Sequence, residues 1–263
     1  MMCRLYDVTR DGFNSWRRTG KSQRELEDDA LFGNIHEVFT KHAGVYGSPK
    51  ITRELRKMGL SIGRKRVARL MRLQGLKATK AKIYKSRPGT YKHIYRVPCR
   101  IEDIQLTGEN QSWVGDVTYL KMVDGSWQYL AVIMDRHSRR IIGWSLSDRR
   151  DVDLTCSALK RAVRDRGHHQ GLIFHSDRGT EYLAEKYRKM LHYYGMEKIM
   201  NRPKRLNDNA FIESFFQQFK TERIKRSVLK TVAQVRAIIS EYMRYYNYDR
   251  SHSSIGYVSP NEF

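Results

Sequence analysis

The 263-residue chain carries 50 Lys and Arg against 28 Asp and Glu, a formal net charge of +22, and 40% of its residues are hydrophobic. That apolar share excludes a wholly disordered basic protein and supplies one large or two small cores. The apolar run Tyr129 to Met134 falls far short of the roughly 20 residues a membrane span needs, no apolar signal segment opens the chain, and Cys3, Cys99 and Cys156 form no CxxC pair. A soluble, cytoplasmic protein with no membrane attachment, disulfide framework or zinc knuckle is expected.

The charge is uneven. Residues 41–100 hold 18 Lys or Arg and a single acid, Glu54, so +17 of the net charge lies in 60 residues. Such a block is a disordered tail or a nucleic-acid-binding module, and helical periodicity favours the second. In chain order, Thr9 can cap a short helix that turns Phe13 and Trp16 to one side. A second helix is predicted from about Asp28, with Leu31, Ile35, Val38 and Phe39 on one face and Gly44 and Gly47 at its end. Residues 1–44 thus form an N-terminal helical segment. Next come Ser48 as N-cap, Pro49 at the first helical position and Gly59 past the end, with Ile51, Leu55 and Met58 as the buried stripe. After the turn Leu60–Gly63, a third helix points Val67, Leu70 and Met71 inward and Arg64, Lys65, Arg66, Arg69 and Arg72 outward, ending at Gly75. Two short amphipathic helices with the second strongly basic read as a helix-turn-helix, against the alternative of a helical hairpin with a solvated basic face. Lys50 and Arg53 on its first helix join the outward residues as predicted DNA contacts. The basic stretch 77–100 reads as a linker touching phosphate, which makes 45–100 a DNA-binding domain with its linker.

From residue 105 to 263 the pattern is α/β. Residues 113–120, 127–134 and 139–146 are predicted strands, with Asp124-Gly125 turning the first hairpin. A helix over 151–166, a buried strand over 172–175, a helix over 180–194 and a short strand over 197–200 follow. Two long helices, 207–226 and 231–246, precede an irregular end at 251–263. Three meandering strands followed by alternating helices and strands form a mixed sheet flanked by helices. Trp113, Trp127 and Trp144 are expected in its core. His168, His169 and His192 lack metal-ligand spacing.

Three acids stand out. Asp116 sits within the first strand, Asp177 follows the fourth, and Glu213 lies in a helix among Phe211, Ile212, Phe215, Phe216 and Phe219. Convergence would require the first and fourth strands to be neighbours; the three could then hold two divalent cations about 4 Å apart, an arrangement suited to phosphodiester chemistry. Spacing alone is weak evidence, because many acid pairs fall at any chosen offset. Asp177 belongs to His175-Ser176-Asp177-Arg178-Gly179-Thr180-Glu181-Tyr182 and Glu213 to Asp208-Asn209-Ala210-Phe211-Ile212-Glu213-Ser214, with 35 residues between the two acids. With these motifs the chain resembles transposases of the insertion-sequence family numbered three, whose core is similar to retroviral integrase. Tyr46-Gly47-Ser48-Pro49-Lys50-Ile51 with Arg64 to Met71 is similar to that family's helix-turn-helix. Tyr246-Asn247-Tyr248-Asp249-Arg250-Ser251-His252, with Gly256-Tyr257-Val258-Ser259-Pro260, resembles its closing motif.

The resemblance implies a ribonuclease H-like integrase catalytic core, with Asp116, Asp177 and Glu213 as the metal-binding catalytic triad and Lys220, two helical turns beyond Glu213, near the DNA end. It implies a DNA transposase of an insertion sequence that uses Mg²⁺, with Mn²⁺ as substitute, for 3′-end strand cleavage and strand transfer, the first joining linking the two ends into a circle. Its partner is double-stranded DNA, at the element ends and the target. Paired cutting of two ends implies a homo-oligomer. The chain opens within what resembles the first conserved region of the family's second reading frame, which implies the upstream-frame product as fusion or partner. Residues 202–207 lack a glycine that many relatives carry in the active-site loop. The competing readings are a catalytically silent DNA-binding regulator of the same fold and a nuclease for RNA–DNA hybrids, which would have no need of a helix-turn-helix. A Ser-His-Asp hydrolase is disfavoured, because His175, Ser176 and Asp177 are adjacent rather than converging.

Overall fold

The computed structural model describes residues 8–19, 21–79, 105–177, 179–200 and 210–263. The expected linker over 80–100 and the glycine-free loop over 202–207 lie outside the described residues. The chain divides into two compact units, residues 1–79 and 80–263.

In the N-terminal unit, α1 (Arg10–Thr19) starts where the Thr9 hydroxyl accepts from the Gly12 amide at 3.0 Å, and its Phe13 stays exposed. Helix α2 (Gln23–Lys41) begins five residues before the expected start. Ser22 and Glu25 close a capping box there, each side chain taking the other's backbone N–H and removing two orphan donors. Helix α3 (Ser48–Lys57) is capped by Gly47 rather than Ser48, and α4 (Arg64–Leu73) by Gly63. Leu31, Ile35, Val38, Ile51, Leu55, Val67, Leu70 and Met71 share one core with Tyr46 and Ile62. The boundary expected at residue 44 therefore falls inside a single packed body. Met58, expected in the stripe, is 51% exposed, and Thr52 is buried instead: the helix closes at Lys57, and Met58 sits on the turn to Gly59.

The C-terminal unit is built on a five-stranded sheet of β1 (Ser112–Lys121), β2 (Trp127–Asp135), β3 (Ile141–Ser147), β4 (Ile173–Ser176) and β5 (Glu197–Met200), in the order β3-β2-β1-β4-β5. The β1-β2-β3 meander is antiparallel; β4 and β5 add in parallel. Helix α5 (Val152–Arg166), capped by the Asp151 carboxylate on the Leu154 amide, makes the crossover from β3 to β4. The single helix expected over 180–194 is broken into α6 (Thr180–Leu183) and α7 (Glu185–Tyr193) at Ala184. Helices α8 (Ala210–Glu222) and α9 (Val232–Tyr248) complete the unit.

Strand alternation sorts the core into two layers. Val114, Leu120, Leu130, Val132 and Met134 face α8 and α9, meeting Phe215, Phe216, Phe219, Ile239 and Tyr246. Trp113, Ala131, Ile133, Ile142 and Phe174 face α5 and α7. Burial on both faces is why the central strands read as continuous apolar runs. Gly143 lets α5 approach β3: a Cβ there would lie 2.4 Å from the Ala158 carbonyl oxygen. Trp113 is fully buried, but Trp127, at the open start of β2, is 42% exposed and lies edge-on to Tyr119.

The end of the chain is tied down. Arg250 and Glu222 form a buried pair, Nη2–Oε1 2.6 Å and Nε–Oε2 3.0 Å, and the Tyr242 hydroxyl donates to the same carboxylate at 2.8 Å. Asn247 brackets Ile141 through both backbone groups, and His252 lies edge-on to Tyr246. The closing motif is thus a clamp joining α8, α9 and the start of β3.

Candidate active site

Asp116 lies two residues after Val114 on β1, so it projects to the same face of the sheet as Val114, the face covered by α8. The parallel β1–β4 ladder pairs Ser112 with Ile173 through Gly115 with Ser176. Asp116 and Asp177 are the next residue on each side. β4 ends at Ser176, and the Gly179 amide donates to Asp177 Oδ1 at 2.9 Å, fixing the carboxylate in the turn. Glu213 occupies the first turn of α8, beside Ile212 and ahead of Phe215 and Phe216, which anchor the helix in the core.

The charges of the other two acids both act on Asp116. Burial first, then the charge of Asp177 and, more weakly, that of Glu213 push the Asp116 carboxyl up to about 7, against one hydrogen bond from the Val117 amide. Burial also raises Glu213. Among the described residues no group of three His, Cys, Asp or Glu side chains is placed to hold one ion, although the charges of Asp177 and, more weakly, Glu213 act on Asp116. The donor set nevertheless fits a hard divalent cation. A desolvated Asp116 carboxyl whose pKa is raised by burial and by the neighbouring acid charges is a place where oxygen-ligated Mg²⁺ would supply positive charge.

Lys220 stands two turns along α8, its Nζ 4.6 Å from the Tyr119 ring centroid; burial lowers its pKa while the Asp116 charge opposes that shift. Two neighbours carried no assigned role in the sequence reading. Arg150, between β3 and α5, binds Glu181, whose side chain is 1% exposed, through Nε and Nη2 at 2.9 and 2.8 Å. Burial works against the Arg150 charge, but Glu181, then Asp177 and Asp116, hold its pKa above the ordinary value. The signal available was an acid four residues after Asp177; its partner lies 31 positions upstream, out of reach of any local pattern.

In the N-terminal unit, Arg53, Arg64, Lys65 and Arg72 are exposed, and Lys50 is half-buried with Nζ 4.7 Å from the Tyr46 ring centroid. Arg66 is half-buried, Arg69 is exposed as expected of an outward residue, and both reach back to α2. Arg66 Nε donates to Asp28 Oδ1 at 2.7 Å and its Nη2 reaches Glu27, while Arg69 donates to Asp28 Oδ2. The Arg69 hydrogen bond, then those of Arg66, hold the Asp28 carboxyl below its ordinary value. Both arginines thus pin α4 to α2, and Arg69 keeps 45% of its side chain exposed.

Comparisons with known proteins agree with this architecture. Integrase core domain models match residues 107–205 and 194–260, and an HTH-like domain model matches residues 26–84, beginning within α2. The chain is 36% identical over 268 residues to the transposase InsF for insertion sequence IS3A of Escherichia coli (strain K12), covering 100% of this chain and 92% of that protein. It is also 36% identical over 250 residues to the transposase for insertion sequence element IS904 of Lactococcus lactis subsp. lactis (strain IL1403), covering 92% and 96%. A simian T-cell lymphotropic virus intasome, solved in complex with the PP2A regulatory subunit B56 gamma, shares the fold, with a TM-score of 0.51 at 15% identity over 58% of this chain and 53% of that one. The C-terminal unit is an integrase core, a polynucleotidyl transferase by class, and the chain belongs to the transposases of the IS3 insertion-sequence family.

Proposed function

We propose that Asp116, Asp177 and Glu213 are the catalytic carboxylates of this transposase and hold two Mg²⁺ ions, replaceable by Mn²⁺, during cleavage at the element's 3′ ends and transfer of those ends to a second phosphodiester. The observation that carries the reading is the Asp116 carboxyl, pushed up to about 7 by burial and by the two other acids. Ions held there would activate the attacking oxygen and stabilise the leaving one. The residues do the rest. Val114 and Gly115 place Asp116 on the α8 face, the Gly179 amide orients Asp177, and the Phe215–Phe219 packing aims Glu213. Lys220, near Asp116, would neutralise phosphate at the DNA end.

The N-terminal unit would bring this chemistry to the element's ends. Exposed Arg53, Arg64, Lys65 and Arg72, with Lys50, form the phosphate-binding set, and Arg66 and Arg69 shape the helix that presents Arg64 and Lys65. Cutting two ends calls for at least two copies, and the upstream-frame product would act as fusion or partner. Among the described residues no helix is long and apolar enough to cross a membrane, in keeping with a protein acting on chromosomal DNA in the cytoplasm. The test is cleavage of a duplex bearing the element's terminal sequence. Mg²⁺ or Mn²⁺ should support cutting and EDTA stop it, and Asp116→Asn, Asp177→Asn and Glu213→Gln should each cut less than a hundredth as fast while binding the duplex as wild type does. Metal-independent cutting would overturn the assignment.

A further inference from the structure

We infer that Arg150 is a phosphate-binding residue of the cleavage site, its guanidinium contacting a non-bridging oxygen of the phosphodiester presented to Asp116 and Asp177. The inference rests on the assignment of those acids proposed above. β3 is antiparallel to β2, and β2 to β1, so β3 runs in the same direction as β1 and β4. The segment after Ser147 therefore opens at the same end of the sheet as Asp177. From there Arg150 meets Glu181, four residues beyond Asp177, with Nε and Nη2 both on Oε1 at 2.9 and 2.8 Å. The turn that holds Asp177 through the Gly179 amide thus leads directly into the anchor of Arg150.

In the clamp at the end of the chain Glu222 and Arg250 are both buried, at 8% and 6% side-chain exposure, and neither has a face open to a ligand. In the Arg150 pair, Glu181 is 1% exposed and Arg150 is 45% exposed. Two of the five guanidinium N–H groups are used on Glu181, which leaves three for an anion. The charges of both Asp177 and Asp116 reach this guanidinium. An arginine is suited to the place: it cannot ligate a metal, it stays charged, and its planar fork fits phosphate oxygens. Glu181 in this account is a positioning residue, acting on the DNA through Arg150.

The test is a binding cycle on the full chain with a duplex bearing the element's terminal sequence, in Ca²⁺, with either an ordinary phosphate or a neutral methylphosphonate at the scissile position. Wild type should lose about tenfold or more in affinity on neutralisation, the scale of a hydrogen bond to a charged group. In Arg150→Ala that penalty should shrink at least threefold, because the contact is already gone. Glu181→Gln should weaken binding of the ordinary duplex while leaving the methylphosphonate duplex unchanged, whereas a role confined to folding would lower both equally. Should Arg150→Ala fail to fold, Arg150→Lys in the same cycle should show a reduced penalty. Penalties equal to that of wild type in the Arg150 variant would overturn the inference. Asp177→Asn reads the acids separately: Mg²⁺-dependent cleavage by that variant would remove the triad while the Arg150 cycle still reports on the phosphate contact.

Discussion

Asp116 and Asp177 are each the residue after the last rung of the β1–β4 ladder, Gly115 opposite Ser176, so two acids 61 positions apart in sequence are brought together by one parallel pairing. Burial first, and then the charge of Asp177 that this pairing brings close, raises the Asp116 carboxyl from an ordinary 3.8 to about 7. The folded state therefore binds this proton more tightly than the unfolded chain does. The associated stability is fully present below about pH 4 and is lost as pH rises toward 7. In EDTA, Asp116→Asn is expected to stabilise the catalytic unit by about 1–3 kcal/mol at pH 8 and to leave it near wild type at pH 4. Mg²⁺ at pH 8 should raise the wild-type melting temperature and leave that of the variant unchanged. Melting curves with and without metal at the two pH values check both.

The basic residues of the N-terminal unit should separate into two groups. Arg64→Ala, Lys65→Ala or Arg72→Ala should weaken DNA binding and reduce the slope of log affinity against log salt by about 1, with melting unchanged. Arg66→Ala or Arg69→Ala should instead destabilise the unit by about 1–3 kcal/mol, because Asp28, whose side chain is only 10% exposed, loses a charged donor. Salt titrations paired with melting curves distinguish the groups, and equal salt effects across all five would contradict the division.

The clamp at the end of the chain should be sensitive to losing one partner. Glu222→Ala or Arg250→Ala leaves a buried charge unpaired and is expected to cost about 3–5 kcal/mol in urea unfolding, whereas replacing both with apolar residues of similar volume should cost far less. Because Glu222 ends the helix that carries Glu213, strand cleavage should fall with the single variants.

Gly143→Ala would drive a methyl to 2.4 Å from the Ala158 carbonyl oxygen and 2.9 Å from the Ala162 side chain. The helix backbone must retreat, and a loss of about 1–3 kcal/mol is expected, measurable by denaturant unfolding. Gly167→Ala, with nothing within 4 Å but φ +82, separates crowding from backbone strain: its loss should be the smaller.

Much of this arrangement was legible in the sequence for physical reasons that can be named. The β strands announce themselves because both faces of the central ones are buried, and the helix expected over 151–166 is α5, which the Asp151 carboxylate caps. The three acids were legible through the motifs around Asp177 and Glu213. Local periodicity failed where tertiary contacts decide. Arg66 and Arg69 sit at positions that look solvent-facing on their own helix, yet their partner Asp28 lies 38 and 41 residues away. Arg150 gained meaning only beside Glu181. The early start of α2 was written in Ser22 and Glu25, but the charged residues after them hid the helix from an apolar pattern. Met58, placed inside by its spacing with Ile51 and Leu55, and Trp127, placed inside by residue type, lie outside because each stands at the end of its element.

The most direct test is to express the element with its flanking DNA and the upstream frame, and to amplify across joined ends with wild type and with Asp177→Asn. A junction formed by wild type and absent with the variant is the predicted result. A junction that persists with Asp177→Asn would contradict the assignment of the chemistry to these acids.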